Sequence, residues 1–512
     1  AVFTGNPDYY KTSLRNIRSA TPKLVLDTAR EWLSDGQFVL TINPFPSFSS
    51  TQSDVDRSKL PVPDLKADAQ FPRFERATLS NGLKIVLAER HSVPVVDMKL
   101  LVNSGYAADT LAVPGCARLA LDMLDEGTPT RTSIQIGDEL DSIGAKLGAG
   151  CNLDIAVVSL NTLKDQLDKA LDIYADVILH PSFPESDFKR LQKQRLVGIQ
   201  REKAEPNGLA LRIMPGLLYG PNHPYGMPFT GSGSEASVSK LTTADMKRFH
   251  ETWFKPNNST LIVVGDTTLA EIAPKLEKLF SGWKQRAVPP IDIAQVKPPA
   301  SPRVFILDRP GSQQSVIFVG EVAPPKANPE EIAIEIMNDI LGGSFTSRVN
   351  MNLREDKHWS YGVFTTVVDA RGQRPFLSLA PVQGDKTKEA LQELQREFSD
   401  FVGAKPPTEE ERIKTVKDRT LGLAGSWETS AAVSGSIAEI VRFGLSDDYF
   451  SSYAGKIEAL KQDEIAKAAK TVVHPGELTW VVVGDRSKIE AGIRELNWGE
   501  VQLLDTDGKP VK

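Results

Sequence analysis

The sequence predicts an α+β protein built from two similar domains, each a mostly antiparallel sheet with helices packed on one face. Two observations support this class. A unit of capped helix, short turn and strand recurs three times along the 512 residues. Each of the two long segments that end in such a unit begins with strands and continues with helices.

The three copies of the repeat fix the ends of the domains. They begin at Ile17, Val238 and Ile457. Their helices are expected to start at the aligned residues Thr21, Thr242 and Lys461, each followed by a mostly apolar stripe and then by a β-rich run. The first copy has no domain before it, so we expect residues 1–58 to be the helix–strand tail of a preceding domain that is missing from this chain. Chance similarity of short helix–strand units is the alternative.

Two proline-rich segments, residues 59–72 and 287–302, are typical of extended linkers. They divide the remaining chain into a first domain at 73–286 and a second domain at 303–512.

Local signals place elements inside these domains. Asn81 and Gly82 predict a tight hairpin turn early in the first domain. In the second domain Asn328 is expected to cap a helix that ends at Gly342 and Gly343. A C-cap is the favoured interpretation of these two glycines, and a glycine loop that guides substrate is the alternative.

The composition excludes several classes of function. The net charge is −6 and no run of Lys and Arg occurs, which argues against nucleic acid as a partner. No apolar run is long enough to span a membrane. Cys116 and Cys151 are too few for a disulfide framework, and we expect two buried thiols, with a single bridge as the alternative. The first residue is not Met and no apolar leader follows it, which indicates a processed or cut start.

Six segments, taken in order, resemble the landmarks of the pitrilysin family of zinc peptidases, also called inverzincins. They are LSNGLKIVL, NSGYAAD, DMLDEGT, HPYGMPFTGS, LTTADMKRFHETWFKPNNSTLIVVGD and SRVNMNLREDKHWSYGV. Insulysin, the mitochondrial processing peptidase and the core proteins of the bc1 complex belong to that family. The resemblance implies two similar halves, each of two α+β domains, that close around a peptide chamber. In an active half, the two histidines of an H-x-x-E-H helix bind zinc with a glutamate from a later helix.

This chain departs from the family pattern at every zinc position. By resemblance, Arg118 and Asp122 stand at the two histidines, Leu121 at the catalytic glutamate and Gly198 at the later glutamate ligand. Arginine stays protonated, leucine has no basic group and glycine has no side chain. We therefore expect no metal and no cofactor in this chain, with zinc held by a partner half. Arg118 and Asp122 lie four residues apart on a helix, so we expect an ion pair, with two solvated charges as the alternative.

The second domain carries residues that retain a catalytic role in the family. There an arginine and a tyrosine of the half without zinc reach across the chamber, and by resemblance they are Arg354 and Tyr361. A phenol can donate to a developing oxyanion, and a guanidinium can hold substrate carbonyls or orient the phenol. The residues alone also permit structural roles, a salt bridge from Arg354 to Glu355 and a tyrosine in the core of the next strand. His358 and Trp359 beside them are expected to pack.

The resemblance thus implies the half, or subunit, of a pitrilysin-type zinc metallopeptidase that lacks zinc. It is expected to be inactive alone, to form a heterodimer with a zinc-bearing half, and to bind peptide substrates in the closed chamber. A proteolytically silent scaffold, like the bc1 core proteins, is the alternative. A self-sufficient hydrolase has no support, because the chain has neither a G-x-S-x-G motif nor a close Cys–His pair. For a bacterial source we expect the periplasm, and the peptide substrate stays undetermined.

Overall fold

The computed structural model describes residues 5–6, 8–34, 36, 38–41 and 70–511. The chain divides into two compact units, Ala1–Asp64 and Leu65–Lys512. Across the described residues, none of the helices is both long and apolar enough to cross a membrane.

The first unit contains helices α1 Tyr9–Arg18 and α2 Pro22–Leu33. Thr21 caps α2 as predicted, because its hydroxyl accepts a hydrogen bond from the Leu24 N–H at 3.2 Å. Neither helix buries any of its residues. Residues 38–41, where the predicted strand begins, are not in a strand. The rest of that strand and most of the predicted linker 59–72 lie outside the described residues, so the interpretation of residues 1–58 stays a prediction.

The second unit begins with a module whose six-stranded sheet has the order β1-β2-β6-β3-β5-β4. Its strands are β1 Glu75–Thr78, β2 Lys84–Glu89, β3 Val95–Val102, β4 Lys146–Cys151, β5 Ala156–Leu163 and β6 Ser259–Gly265. Its helices are α3 Cys116–Asp122, α4 Ser133–Ser142, α5 Leu167–Leu179, α6 Glu185–Ala204, α7 Pro206–Tyr219, α8 Glu235–Val238, α9 Thr243–Trp253 and α10 Leu269–Phe280. Only β2 and β6 pair in parallel.

A second module follows, with a six-stranded sheet of order β12-β7-β11-β8-β10-β9. Its strands are β7 Arg303–Asp308, β8 Gln314–Ala323, β9 Phe364–Val367, β10 Arg374–Gln383, β11 Thr479–Gly484 and β12 Val501–Leu504. Its helices are α11 Glu331–Asn338, α12 Arg348–Asn350, α13 Thr387–Val402, α14 Glu409–Ser426, α15 Ser430–Phe443, α16 Tyr453–Ala459, α17 Gln462–Val472 and α18 Arg486–Arg494. The parallel pairs are β7 with β11 and β7 with β12.

The repeat explains why the two modules are alike. Its second copy forms α9 and β6, its third forms α17 and β11, and each strand lies inside its sheet. Both helices begin as predicted. The Asp245 carboxylate accepts from the N–H and hydroxyl of Thr242, at 2.9 and 2.7 Å, and Glu464 accepts from the Lys461 N–H at 2.8 Å. The predicted α+β class with two similar, mostly antiparallel modules is confirmed.

Each sheet has helices of its own module on one face, and a helix from the other module covers its second face. Helix α15 of the second module packs on β3 and β6, and α7 of the first module packs on β8 and β11. Ile437 of α15 shares a core with Val86 and Ile262 of the first sheet, and Met214 of α7 shares one with Phe318 of the second. The prediction that helices pack on one face of each sheet therefore holds within each module. It did not include the helix that each module places on the other module's sheet.

Two further features join the modules. Residues 284–302, which include the predicted linker 287–302, contain neither helix nor strand. Their apolar side chains nevertheless pack on the first core, so the segment is a fixed strap and not a free spacer; they are Val288, Ile291, Ile293 and Val296. At the junction the buried Asp154 carboxylate accepts from the Tyr225 hydroxyl at 2.5 Å and from the Arg371 N–H at 3.0 Å.

Candidate functional site

Helix α3 carries three of the four positions that by resemblance correspond to the zinc site of an active half, namely Arg118, Leu121 and Asp122. Its first turn is held by Asp109, whose buried carboxylate accepts from the N–H groups of Gly115 and Ala117 at 2.7 and 2.8 Å. Burial raises the pKa of Asp109 to about 7. Leu121, at the position of the catalytic glutamate, is completely buried in the apolar core. The catalytic position is therefore a packing position here.

The predicted ion pair on α3 is confirmed, with 3.4 Å between Nε of Arg118 and Oδ1 of Asp122. The sequence analysis missed the second partner of Asp122. Arg195 of α6 donates a hydrogen bond from Nη2 to Oδ2 of Asp122. Arg195 precedes Gly198 by one turn of α6, so this bond joins α3 to α6, the two helices that carry the predicted zinc positions. Only that spacing from Gly198 could have indicated Arg195 in the sequence.

Gly198, the fourth position, faces open space, since a Cβ placed on it would have no heavy atom within 4 Å. The next acid along α6, Glu202, is engaged elsewhere and accepts from Arg212 at 2.6 Å and from Ser232 at 2.8 Å. Within residues 70–511 and the described parts of the first unit, no group of three or more His, Cys, Asp and Glu side chains could hold a metal ion. Two guanidiniums around one carboxylate do not fit zinc.

Both cysteines are free thiols and not a disulfide. Cys116 lies buried in α3, and Cys151 ends β4. Burial raises the pKa of the Cys151 thiol to about 12, and it also raises that of Cys116. Neither thiol is therefore an activated nucleophile.

The second group of predicted site residues comes together in the second module. Arg354 lies in a π-helical turn, Met351–Asp356, a geometry that is frequent at functional sites. Its guanidinium carbon is 4.9 Å from the ring centre of Tyr361 and 4.5 Å from that of Phe345. The cation is thus stacked between two aromatic rings. Tyr361 and Phe345 are 87% and 55% exposed, so the stack lies at the surface.

One buried side chain holds the two loops that carry the rings. The Asn350 amide donates to the Phe345 carbonyl at 2.6 Å, and its oxygen accepts from the Val363 N–H at 3.0 Å. Ser360, beside Tyr361, donates to the Pro381 carbonyl at 2.5 Å. These bonds fix the backbone on both sides of the stack, so the exposed rings are positioned by a buried frame.

Of the two structural roles considered for Arg354 and Tyr361, the structure shows the salt bridge of Arg354 and excludes the core position of Tyr361. Arg354 does form the salt bridge to Glu355, with Nε 3.1 Å from Oε1. The placement of Tyr361 on a strand is wrong, because it lies in the loop three residues before β9, and its exposure excludes a core role. His358 takes a positive φ of 57° and its Nδ1 lies 3.1 Å from the Arg354 carbonyl, while Trp359 packs against the second core as expected.

The C-cap interpretation of Gly342 and Gly343 is also wrong. They end a π-helical turn, Asp339–Gly343, and neither has a positive φ. A Cβ on Gly342 would lie 2.4 Å from Oγ1 of Thr365 in β9. Glycine is therefore required by the close approach of this turn to the sheet.

Two family models match parts of this chain, and two zinc proteases are similar to it in sequence. Residues 84–214 match the family model described as insulinase, peptidase family M16, and residues 240–418 match the model described as the peptidase M16 inactive domain. The uncharacterized zinc protease YmxG of Bacillus subtilis is 22% identical over 292 residues, which are 57% of this chain and 69% of that protein. The zinc protease PqqE of Helicobacter pylori is 22% identical over 384 residues, 73% of this chain and 85% of that protein.

Solved structures share the fold. A peptidase M16 inactive domain from Pseudomonas fluorescens has a TM-score of 0.74 at 23% identity and covers 80% of this chain and 98% of its own. The periplasmic protease PqqL from Escherichia coli has a TM-score of 0.67 at 14% identity and covers 92% of this chain. That match uses only 51% of the PqqL chain, so the present fold corresponds to about half of a longer protease.

Proposed function

We propose, from the premise that this chain belongs to peptidase family M16 and is of the inactive type related to zinc proteases, that it is the half without zinc of a two-half zinc peptidase. One observation carries the proposal. Two of the positions that correspond to zinc ligands by resemblance hold the ion pair of Arg118 and Asp122, while Arg354 is stacked with Tyr361, whose side chain is exposed. The chain alone would not hydrolyse peptides. It would close a peptide chamber against a zinc-bearing half as a heterodimer, in the periplasm if the source is bacterial.

Arg354 and Tyr361 have complementary tasks in this proposal. The partner half supplies zinc and the attacking water. The Tyr361 hydroxyl donates to the carbonyl oxygen of the scissile peptide bond as negative charge develops there. Arg354 holds the phenol in place through their stacking and adds positive charge beside the oxyanion. Extended peptides would be held by pairing with a free sheet edge.

We also propose that residues 1–58 complete the sheet-and-helix module that closes the zinc-bearing half. In the aligned copies, Trp32 of α2 corresponds to Trp253 of α9 and to Val472 of α17. Trp253 and Val472 are buried in their modules, whereas Trp32 is 74% exposed. The apolar stripe of α2 therefore has the composition of a packed helix, although none of its residues is buried in the part of the chain that the structure describes.

Tyr361→Phe tests the catalytic part of the proposal. With the zinc-bearing half added, we expect the substitution to lower kcat for a fluorogenic peptide by about 100-fold, because one oxyanion donor is lost. KM should change little, since the ring and its stacking remain. Tyr449→Phe removes a phenol hydroxyl that is buried in the second module without a hydrogen-bond partner among the described residues, and it is the control, with unchanged kcat expected. Equal rates for the wild-type chain and Tyr361→Phe would contradict the catalytic role and favour the silent scaffold.

A further inference from the structure

The guanidinium pair of Arg118 and Arg195 has more hydrogen-bonding capacity than its surroundings use. Asp122 is the one carboxylate that both groups contact, so this cluster carries one excess positive charge. The Nε atom of each arginine is buried. That of Arg118 lies 3.4 Å from Asp122 without forming a hydrogen bond, and that of Arg195 has no hydrogen-bond partner among the described residues. The side chains are nevertheless 37% and 19% exposed, so solvent reaches the pair.

Other arginines of the same module show what full engagement requires. Arg212 donates to a carboxylate, a hydroxyl and a carbonyl, those of Glu202, Ser232 and Gly233. Arg190, on the same helix as Arg195, bonds both Glu126 and Asp187.

The acids near the pair do not neutralise it. Glu126 is taken by Arg190. Asp125 forms no salt bridge with either guanidinium among the described residues, and burial raises its pKa. The charge of Arg118 and Arg195 is therefore left for an external anion.

The pair lies beside a free sheet edge. Among the described residues, strand β4 lies at the end of its sheet and pairs with β5 alone. A Cβ placed on Gly150 of β4 would lie 3.9 Å from Nη1 of Arg118. An extended peptide that pairs with the open side of β4 would therefore pass within reach of this guanidinium.

We infer that Arg118 and Arg195 bind a carboxylate of an extended peptide that lies along β4, either an acidic side chain or the C-terminal carboxylate. The guanidinium fork matches a carboxylate in shape and charge, and a second nearby guanidinium strengthens that preference. The positions of the zinc motif would then select acidic peptides. This inference deepens the proposed function and rests on it, because it takes this face to line the peptide chamber.

Peptide binding to the complete 512-residue chain, without any partner half, tests the inference. The probes are four fluorescein-labelled peptides of one sequence, with a central Glu or Gln and with a free or amidated C-terminus. Anisotropy titration should show the tightest binding for a peptide that keeps the recognised carboxylate. Weakening on Glu→Gln identifies the side chain, and weakening on amidation identifies the C-terminus. Equal binding of all four peptides, or no binding, would overturn the inference.

Substitutions locate the effect. Arg118→Gln should weaken binding of the preferred peptide by about tenfold, because a charge-assisted hydrogen bond is lost, and should leave the amidated Gln peptide unchanged. Arg195→Gln gives a second, independent loss. Lys193→Gln removes one positive charge at an exposed position of the same helix, is the matched control and should bind as the wild type does. Equal weakening by Lys193→Gln would overturn the inference.

Two features of the experiment separate a loss of peptide binding from a loss of folding and from a loss of hydrolysis. Thermal unfolding followed by circular dichroism shows that each variant is folded. Since the assay measures binding without hydrolysis, it does not depend on the outcome for Tyr361→Phe, and either result can fail alone.

Discussion

Asp122 stands between an arginine of its own helix and an arginine of α6, and the two contacts differ in strength. The contact with Arg118 is 3.4 Å long and joins residues four apart on one helix, a kind of pair that contributes a few tenths of a kcal/mol. The hydrogen bond from Arg195 is charge-assisted and joins two half-buried side chains. The greater stabilisation should therefore act between α3 and α6.

Double-mutant cycles measure this difference. For Asp122→Asn with Arg195→Gln we expect a coupling of about 1 kcal/mol, and for Asp122→Asn with Arg118→Gln less than about 0.5 kcal/mol. The measured quantity is the free energy of unfolding from urea titrations. A larger coupling to Arg118 than to Arg195 would show that the salt bridge between helices is not the main contact.

At the scale of residues, the sequence predicts what is local. The pair of Arg118 and Asp122 follows from helical spacing alone. Arg195 is 73 positions from Asp122, and no periodicity connects them. The loop that carries Tyr361 is held by Asn350, whose amide oxygen accepts from the Val363 N–H, and by Ser360, whose hydroxyl donates to the Pro381 carbonyl. The sequence next to Tyr361 does not reveal these partners.

Helix α9 shows how a repeated element accommodates a titratable residue. His250 occupies the position that is Ala29 in the first copy and Ala469 in the third. Its Nε2 lies 2.7 Å from the Ile178 carbonyl of α5, and its ring stacks on Phe254 with 4.7 Å between centres. Burial lowers the pKa of His250 to about 4, so the imidazole is neutral in the folded protein at neutral pH.

This burial predicts a loss of stability in acid. The unfolded chain binds a proton at His250 near pH 6.5, whereas the folded chain does so only near pH 4. Stability should therefore fall as the pH drops through this window, by up to about 1.4 kcal/mol per pH unit from this group. His250→Gln keeps a donor for Ile178 and removes the titration, so its unfolding free energy should be flatter in urea titrations between pH 4 and 6.5.

His91 provides the control for this measurement. It is exposed, and hydrogen bonds to Asp266 and Glu89 raise its pKa, so its contribution is present in acid and is lost as the pH rises. His91→Gln should therefore leave the acid-dependent loss in place. If His250→Gln retains the full slope of the wild type, the loss has another origin.

At the scale of elements, repeat and capping signals were sufficient for α2, α9 and α17, because an N-cap and an apolar stripe are encoded within one helix. The exchange of α7 and α15 was not predictable in this way. An apolar strand pattern shows that a face is buried and does not show which helix covers it. The C-cap prediction for Gly342 was wrong for a related reason. Glycine is required there because Thr365, which lies on another element, approaches it closely.

For the whole molecule, the proposed place of residues 1–58 in the partner half can be measured through one indole. Trp32 is exposed in the isolated chain, and its counterpart Trp253 is buried in the first module. If α2 completes a module of the zinc-bearing half, adding that half should shift the Trp32 emission to shorter wavelength and protect it from iodide quenching. The difference between the wild-type chain and Trp32→Phe isolates this signal. Emission and quenching of Trp32 that stay constant on binding would contradict the proposed tail.

The exchange of α7 and α15 restricts the motions open to residues 70–511. Swinging the two modules apart would strip α15 from the first sheet and α7 from the second at once, exposing both sheet faces to water. We therefore expect residues 70–511 to move as one rigid body. In the proposed two-half peptidase, the opening that admits a peptide would then come from movement of this rigid body relative to the proposed zinc-bearing half.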